Sequence, residues 1–296
     1  MPQPSINFSN AKDVCAVLDT ATGCMLQFSG RTGCTHNLPA TGQVLVTGDL
    51  HDNPFHLSKI IKIAKLDIPT NHVVLQELIH SGADSNEVDL SYRMLVRVAS
   101  LVAAYPSQVH PILANHELSQ ATGRAITKGG GELVKKFTQG VKQVFEKKAD
   151  DVLDAITAFI LAMPLAVRSS SGLMCLHSLP NELLMDEFDV DILDRELQPF
   201  DLQGNGGSAY LTVWGRQHST SQVNKLAKYW GVQLFCLGHA WVPNGIDMSM
   251  PNVLLINSDH NNGVVLPIQL DNIQNAGQTM KSAIQLMSVP IDQNEL

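Results

Sequence analysis

The sequence has no cluster of Lys or Arg, no Cys-x-x-Cys pair, no long apolar run and no internal repeat. With 28 acidic against 20 basic residues and a formal net charge of -8, it offers no electrostatic track for a nucleic-acid backbone, so nucleic acid is not an expected partner. The five cysteines, Cys15, Cys24, Cys34, Cys175 and Cys236, are odd in number and form no ligand-spaced pair. That argues against a disulfide framework and a thiolate zinc site, and for free thiols in a reducing compartment. The start, Met1-Pro2-Gln3-Pro4-Ser5, lacks the basic then apolar layout of a secretory signal, and no apolar stretch reaches bilayer length. A cytoplasmic location without membrane contact is the expectation.

Hydrophobic residues make up 44% of the chain and charged residues 16%, the balance of a packed globular protein. Val14–Leu18 and Met25–Phe28 read as two short strands around Thr22-Gly23, a hairpin ahead of the main fold. From Gln43 the pattern becomes regular. Val44-Leu45-Val46 is a strand ending at Gly48-Asp49, and Asn53-Pro54 caps a helix whose Leu57, Ile60, Ile61 and Ala64 share a face. Strand Val73–Leu75, a helix carrying Leu90, Met94, Val98 and Leu101, and strand Val109–Leu113 repeat the alternation, which makes this an α/β chain. Two helices after Gly129-Gly130-Gly131 lead into further strands near 165, 173, 234, 253 and 264, with a helix ended by Gly231 before the third.

Residues with hard-ligand chemistry fall just after five of these strands: Asp49 and His51, Glu77 and His80, Asn115 and His116, His177, and His239. Loops beyond the carboxyl ends of strands can converge on one point while the sheet fixes their origins. Asp49 and His51, two apart, can present an oxygen and a nitrogen to one cation. Asp-x-His is common by chance, and a capping Asp beside a solvated His gives the same pair. Asn115-His116-Glu117 is sharper, because an amide oxygen is a usable ligand where the neighbours are already anionic. His177 and His239 carry little weight singly and much more in this company.

In order, these motifs resemble the calcineurin-like metallophosphoesterases, closest to the phosphoprotein (Ser/Thr) phosphatase branch: Gly48-Asp49-x-His51, Asn115-His116-Glu117, His177 after a strand, and Gly238-His239. Pro164-Leu165-Ala166 before Cys175-Leu176-His177-Ser178-Leu179-Pro180, and Val213-Trp214 ahead of the Gly238-His239 loop, strengthen it. The resemblance implies an α/β sandwich of two mixed β-sheets flanked by helices. It places a metallophosphoesterase domain at 43–270, after a 1–42 extension and before a polar 271–296 tail. It further implies two divalent metal ions (Mn, Fe or Zn, with Mn favoured). Asp49 and His51 would hold the first, Glu77 would bridge, and Asn115, His177 and His239 would hold the second. His116 would be the general acid, with Glu117 orienting it.

The second motif departs from the family. Gln76-Glu77-Leu78-Ile79-His80-Ser81-Gly82 stands where Gly-Asp-x-x-Asp-Arg-Gly is usual. Glu77 keeps a bridging carboxylate, His80 replaces the Asp that orients the catalytic His, and Ser81 replaces a phosphate-binding Arg. His80 is therefore a candidate ligand or proton-transfer group, and Arg216 a candidate substitute for phosphate binding. The expected activity is hydrolysis of a phosphomonoester, on protein or small molecule, by metal-activated water. A diester or nucleotide-polyphosphate hydrolase on the same site, and a pseudo-phosphatase that binds without turnover, are the alternatives.

Overall fold

The computed structural model describes residues 6–80, 88–123, 130–204 and 206–290. Twelve strands among these residues form two mixed sheets. One has the order β1 (Arg31–Thr32), β2 (Thr35–Leu38), β6 (Ala166–Ser169), β7 (Leu173–Leu176), β8 (Leu234–Leu237), β10 (Val253–Ile256) and β9 (Ile246–Met250). The other runs β12 (Ile284–Gln285), β11 (Val264–Gln269), β3 (Gln43–Asp49), β4 (Asn71–Gln76) and β5 (Val109–Ile112).

Period-two alternation explains how the sheets stack. Val44 and Val46 of β3 join Val74, Ile112, Cys175, Cys236 and Leu254 in the core between the sheets, whereas Leu45 turns outward to the helices. The outer layers are α1 (Ala11–Leu26), α2 (Pro54–Ala64), α3 (Tyr92–Ala104), α4 (Asn115–Thr122), α5 (Gly130–Phe145), α6 (Ala149–Ala162), α7 (Ser208–Trp214), α8 (Thr220–Trp230) and α9 (Ala276–Thr279). Asn53 caps α2 as its sequence predicts, accepting the His56 N–H, and Gly231 ends α8 at φ 68°.

Two expectations are corrected. The segments read as strands at 14–18 and 25–28 belong to α1 and the turn just after it. Val14, Leu18, Ala21 and Met25 are spaced by three and four and form its buried stripe, so the helical period outweighs the short apolar runs. The Asn10 side chain caps the helix by accepting from Lys12 and Asp13 N–H. The antiparallel hairpin of this region is instead β1–β2, joined to the larger sheet by the parallel pairing of β2 with β6. Within the polar stretch after Asp271, residues 272–290 are described and hold α9 followed by β12, which pairs with β11. No helix among the described residues is long and apolar enough to cross a membrane.

The sheets converge at the end of β3. A Cβ on Gly48 would lie 1.8 Å from the Ile256 carbonyl oxygen, so only glycine lets β3 approach β10 here. Asp49 then bridges to Asn257, and its carbonyl accepts the Ser258 N–H at 3.0 Å. This contact brings the loop after β3, in one sheet, against the strand-end loops of the other.

Candidate metal centre

Several of the functional side chains stand on distorted backbone. His51, Asp52, Glu77, His80 and His239 all have positive φ, between 41° and 63°, without being glycine. Such conformations cost on the order of 1–3 kcal/mol each and persist only where surrounding contacts impose them. Those contacts are explicit. The Glu77 carbonyl accepts from both Leu50 and His51 N–H, the Leu78 carbonyl accepts from Asp52 N–H, and the first two loops are thereby laced together. On the other side, Glu117 Oε1 accepts from Leu78 and Ile79 N–H at 2.7 and 3.1 Å. Burial, with Glu77 nearby, pushes the Glu117 carboxyl up to about 7.

Two groups of donors share Glu77. The ligand atoms of His51, Glu77 and His116 lie within 4.8 Å of one another, and so do those of Glu77, His177 and His239. Asn115, at the start of α4, joins the second group: its Oδ1 is 2.6 Å from His177 Nε2 and 2.9 Å from His239 Nδ1. Gln76 fixes the tautomer of His177. Its Nε2 donates to the Thr47 carbonyl, so its Oε1 must accept from His177 Nδ1–H at 2.9 Å. That bond points His177 Nε2 at Asn115 Oδ1 and, at 3.2 Å, at Glu77 Oε2. One nitrogen and two oxygens thus converge on a place suited to a proton or a cation.

The donor set therefore fits a divalent cation, with carboxylate, imidazole and amide ligands suited to Mn, Fe or Zn. His239 presents Nδ1 to this place, 2.9 Å from Asn115 Oδ1. Burial, together with His177 and Arg216, depresses the His239 imidazole to about 2, keeping it neutral and able to coordinate. Burial alone would raise the Glu77 carboxyl, but His177, His51 and His116 hold it well below the usual range. Asp49 goes the other way, raised by burial and by Glu77. Its Oδ1 accepts the His239 N–H at 3.0 Å, and a Cβ on Gly238 would stand 2.3 Å from that oxygen. The glycine of Gly238-His239 is thus demanded by the closeness of Asp49.

Among solved structures, a protein serine/threonine phosphatase from Saccharomyces cerevisiae with similarity to human phosphatase PP5 superposes with a TM-score of 0.66. The match covers 88% of this chain and 82% of that one at 13% identity. The two chains share this fold, a pair of mixed β-sheets flanked by helices. A cold-active protein-tyrosine phosphatase of a psychrophilic Shewanella sp. gives a TM-score of 0.55 at 14% identity, covering 84% of this chain and 82% of the other. No protein-family model and no curated protein sequence matches the chain.

On this fold the residues named from sequence gather at one place, with some altered relations. His116, expected as the general acid, stands within ligand distance of His51 and Glu77, with Nε2 3.3 Å from Glu77 Oε1. Asp49, expected with His51 at the first metal, lies against Glu77, with Oδ1 3.9 Å from His177 Nδ1 and accepting the His239 N–H. Glu117 does not orient His116; its hydrogen bonds go to the Leu78 and Ile79 amides. His80 packs its ring 5.2 Å from that of His116. Arg216 is exposed and donates through Nη1 to the His239 carbonyl at 3.0 Å. Ser81 lies outside the described residues.

Two residues escaped the sequence. Asp89 Oδ2 accepts from His80 Nδ1 at 2.6 Å, while its Oδ1 holds the Ser91 N–H and Ser91 Oγ takes the His80 N–H. The carboxylate that the second motif lacks is thus supplied from nine residues downstream, onto the histidine. Gln76, read only as a departure from Gly, carries the tautomer of His177. Neither belongs to a spacing pattern that a single sequence displays.

Proposed function

We propose that this chain is a dinuclear-metal phosphomonoester hydrolase, acting on a phosphate ester of the kind carried by phosphorylated protein side chains. The observation that carries the reading is that Glu77 lies within ligand distance of His51 in one group and of His177 and His239 in another. A pair of divalent ions, Mn favoured, would supply the charge that binds a phosphoryl group and acidifies water. The chain's own residues do the rest. Glu77 would serve both positions, with Asp49 and His51 completing one and Asn115, His177 and His239 the other. Arg216, tethered to the His239 carbonyl, offers its remaining guanidinium N–H groups to phosphoryl oxygens. His116, beside Glu77 at 3.3 Å, serves as proton donor to the leaving oxygen and not as a ligand, with the Asp89-held His80 packed beside it.

The test is Mn-dependent release of phosphate from p-nitrophenyl phosphate. Asp49→Asn abolishes it, and His116→Asn lowers it by roughly 10²–10⁴-fold. Full activity in both variants overturns the reading. Bound metal with no turnover of any phosphoester makes the chain a binding protein instead.

A further inference from the structure

Trp241 is the one tryptophan of three whose ring lies mostly in solvent, 69% exposed. It belongs to neither hydrophobic core, so the fold does not need it. Yet it is held with unusual firmness. The side chain of buried Asn257 clamps the peptide units on both sides of it: Oδ1 accepts the Val242 N–H at 2.6 Å and Nδ2 donates to the Ala240 carbonyl at 3.3 Å. Behind the indole, at 6.0 Å between ring centroids, stands His260. Both of its ring nitrogens are occupied, Nδ1 accepting the Asn262 N–H and Nε2 donating to the Val242 carbonyl, each at 3.2 Å. Asn262 Nδ2 adds a bond to the Pro243 carbonyl. A large apolar ring is thus preorganised at the surface.

Its position ties it to the metal centre. Trp241 follows the ligand candidate His239 by two residues, at most about 7.6 Å between Cα atoms. Asn257 bridges to Asp49, and Asn53, two residues after His51, donates through Nδ2 to the carbonyl of Asp259, next to His260. The platform is therefore built on the same loops as the ligand candidates Asp49, His51 and His239. We infer that Trp241, backed by His260, receives the leaving group, and that the substrate is an aryl phosphoester, the phosphate ester of a phenol. A flat ring bonded directly to the ester oxygen suits so short a reach and stacks on indole, which a serine or threonine side chain cannot do. The phenol is that of a peptide tyrosine or of a small molecule, two sources with one chemistry that turnover separates. This inference rests on the phosphoesterase reading above.

The experiment compares phenylphosphonate with methylphosphonate by isothermal titration of the Mn-loaded full chain. Phenylphosphonate binds about tenfold more tightly; Trp241→Ala removes that preference, Trp241→Phe keeps most of it, and Leu26→Ala, at the exposed end of α1, keeps all of it. In turnover, Trp241→Ala lowers the ratio of kcat/KM for phenyl phosphate and for a phosphotyrosine peptide, each relative to a phosphoserine peptide, by about the same factor. Equal binding of the two phosphonates, or a preference that survives Trp241→Ala, overturns the inference. So does a loss confined to the peptide, which makes the indole a contact for flanking residues. If no phosphoester is turned over, the phosphoesterase reading falls, and the phosphonate titration still decides the role of Trp241.

Discussion

Two buried histidine clusters lie in this chain, and they differ in what stands beside the imidazoles. His36, His72 and His110 sit within β2, β4 and β5, whereas the histidines of the metal centre follow strand ends. In the strand cluster the rings satisfy one another. His36 Nε2 donates to the Met25 carbonyl, so His36 Nδ1 accepts from His110 Nδ1 at 3.1 Å, and His110 Nε2 accepts from His72 Nδ1 at 3.3 Å. Phe28 covers two of the rings, and the charged residue acting on His36 is Arg31. Burial drives all three below their ordinary range, His36 to about 3. At the metal centre the same ring type meets Asp49, Glu77 and the Asn115 oxygen. Burying histidines makes a neutral packing unit; adding carboxylates makes a place for cations.

The largest expected effect breaks the strand cluster. A histidine depressed on folding leaves the native state with fewer bound protons than the unfolded chain, so stability is complete above about pH 6.5 and falls as pH drops toward 3. For His36 the loss is on the order of 4 kcal/mol, measured by urea unfolding of the metal-free protein. His110→Gln flattens this slope; an unchanged slope refutes the assignment. Next comes conversion of the metal centre into a second neutral cluster. Glu77→Gln removes the shared carboxylate and lowers metal affinity by at least about 100-fold, read by metal analysis and competition with a chelator.

Gln76→Leu sharpens the contrast by releasing the His177 tautomer while sparing every ligand. Metal affinity falls by roughly 10–100-fold, with the far-ultraviolet circular dichroism of the wild type. The smallest effect falls on Glu117. Glu117→Gln keeps an oxygen for the Leu78 and Ile79 amides and costs less than about 1 kcal/mol. The wild-type carboxyl, raised to about 7 on folding, binds a proton that the unfolded chain has lost, so its contribution declines from about pH 4.5 to 7. Its slope thus opposes that of the histidines, and its disappearance in the Gln variant is the readout.

Much of this could be read directly. The apolar runs at Val44–Val46, Val73–Leu75 and Leu234–Leu237 announced strands, Asn53-Pro54 announced a capped helix, and the polar residues after them announced a shared site. The missed helix α1 shows where local reading fails: its stripe extends over four turns, and short windows split it into strand-like pieces.

The sequence by itself determined the α/β alternation and which side chains would stand at strand ends, because period and punctuation are local properties of the chain. Tertiary structure decided the relations among those side chains. That Glu117 braces a backbone loop, that Asp89 backs His80, that Gln76 sets His177 and that Trp241 is clamped in solvent all depend on contacts between residues far apart in sequence or on loop conformations no spacing encodes. Hydrogen-bond direction and burial are set by the packed surroundings, and only the assembled sheets supply them.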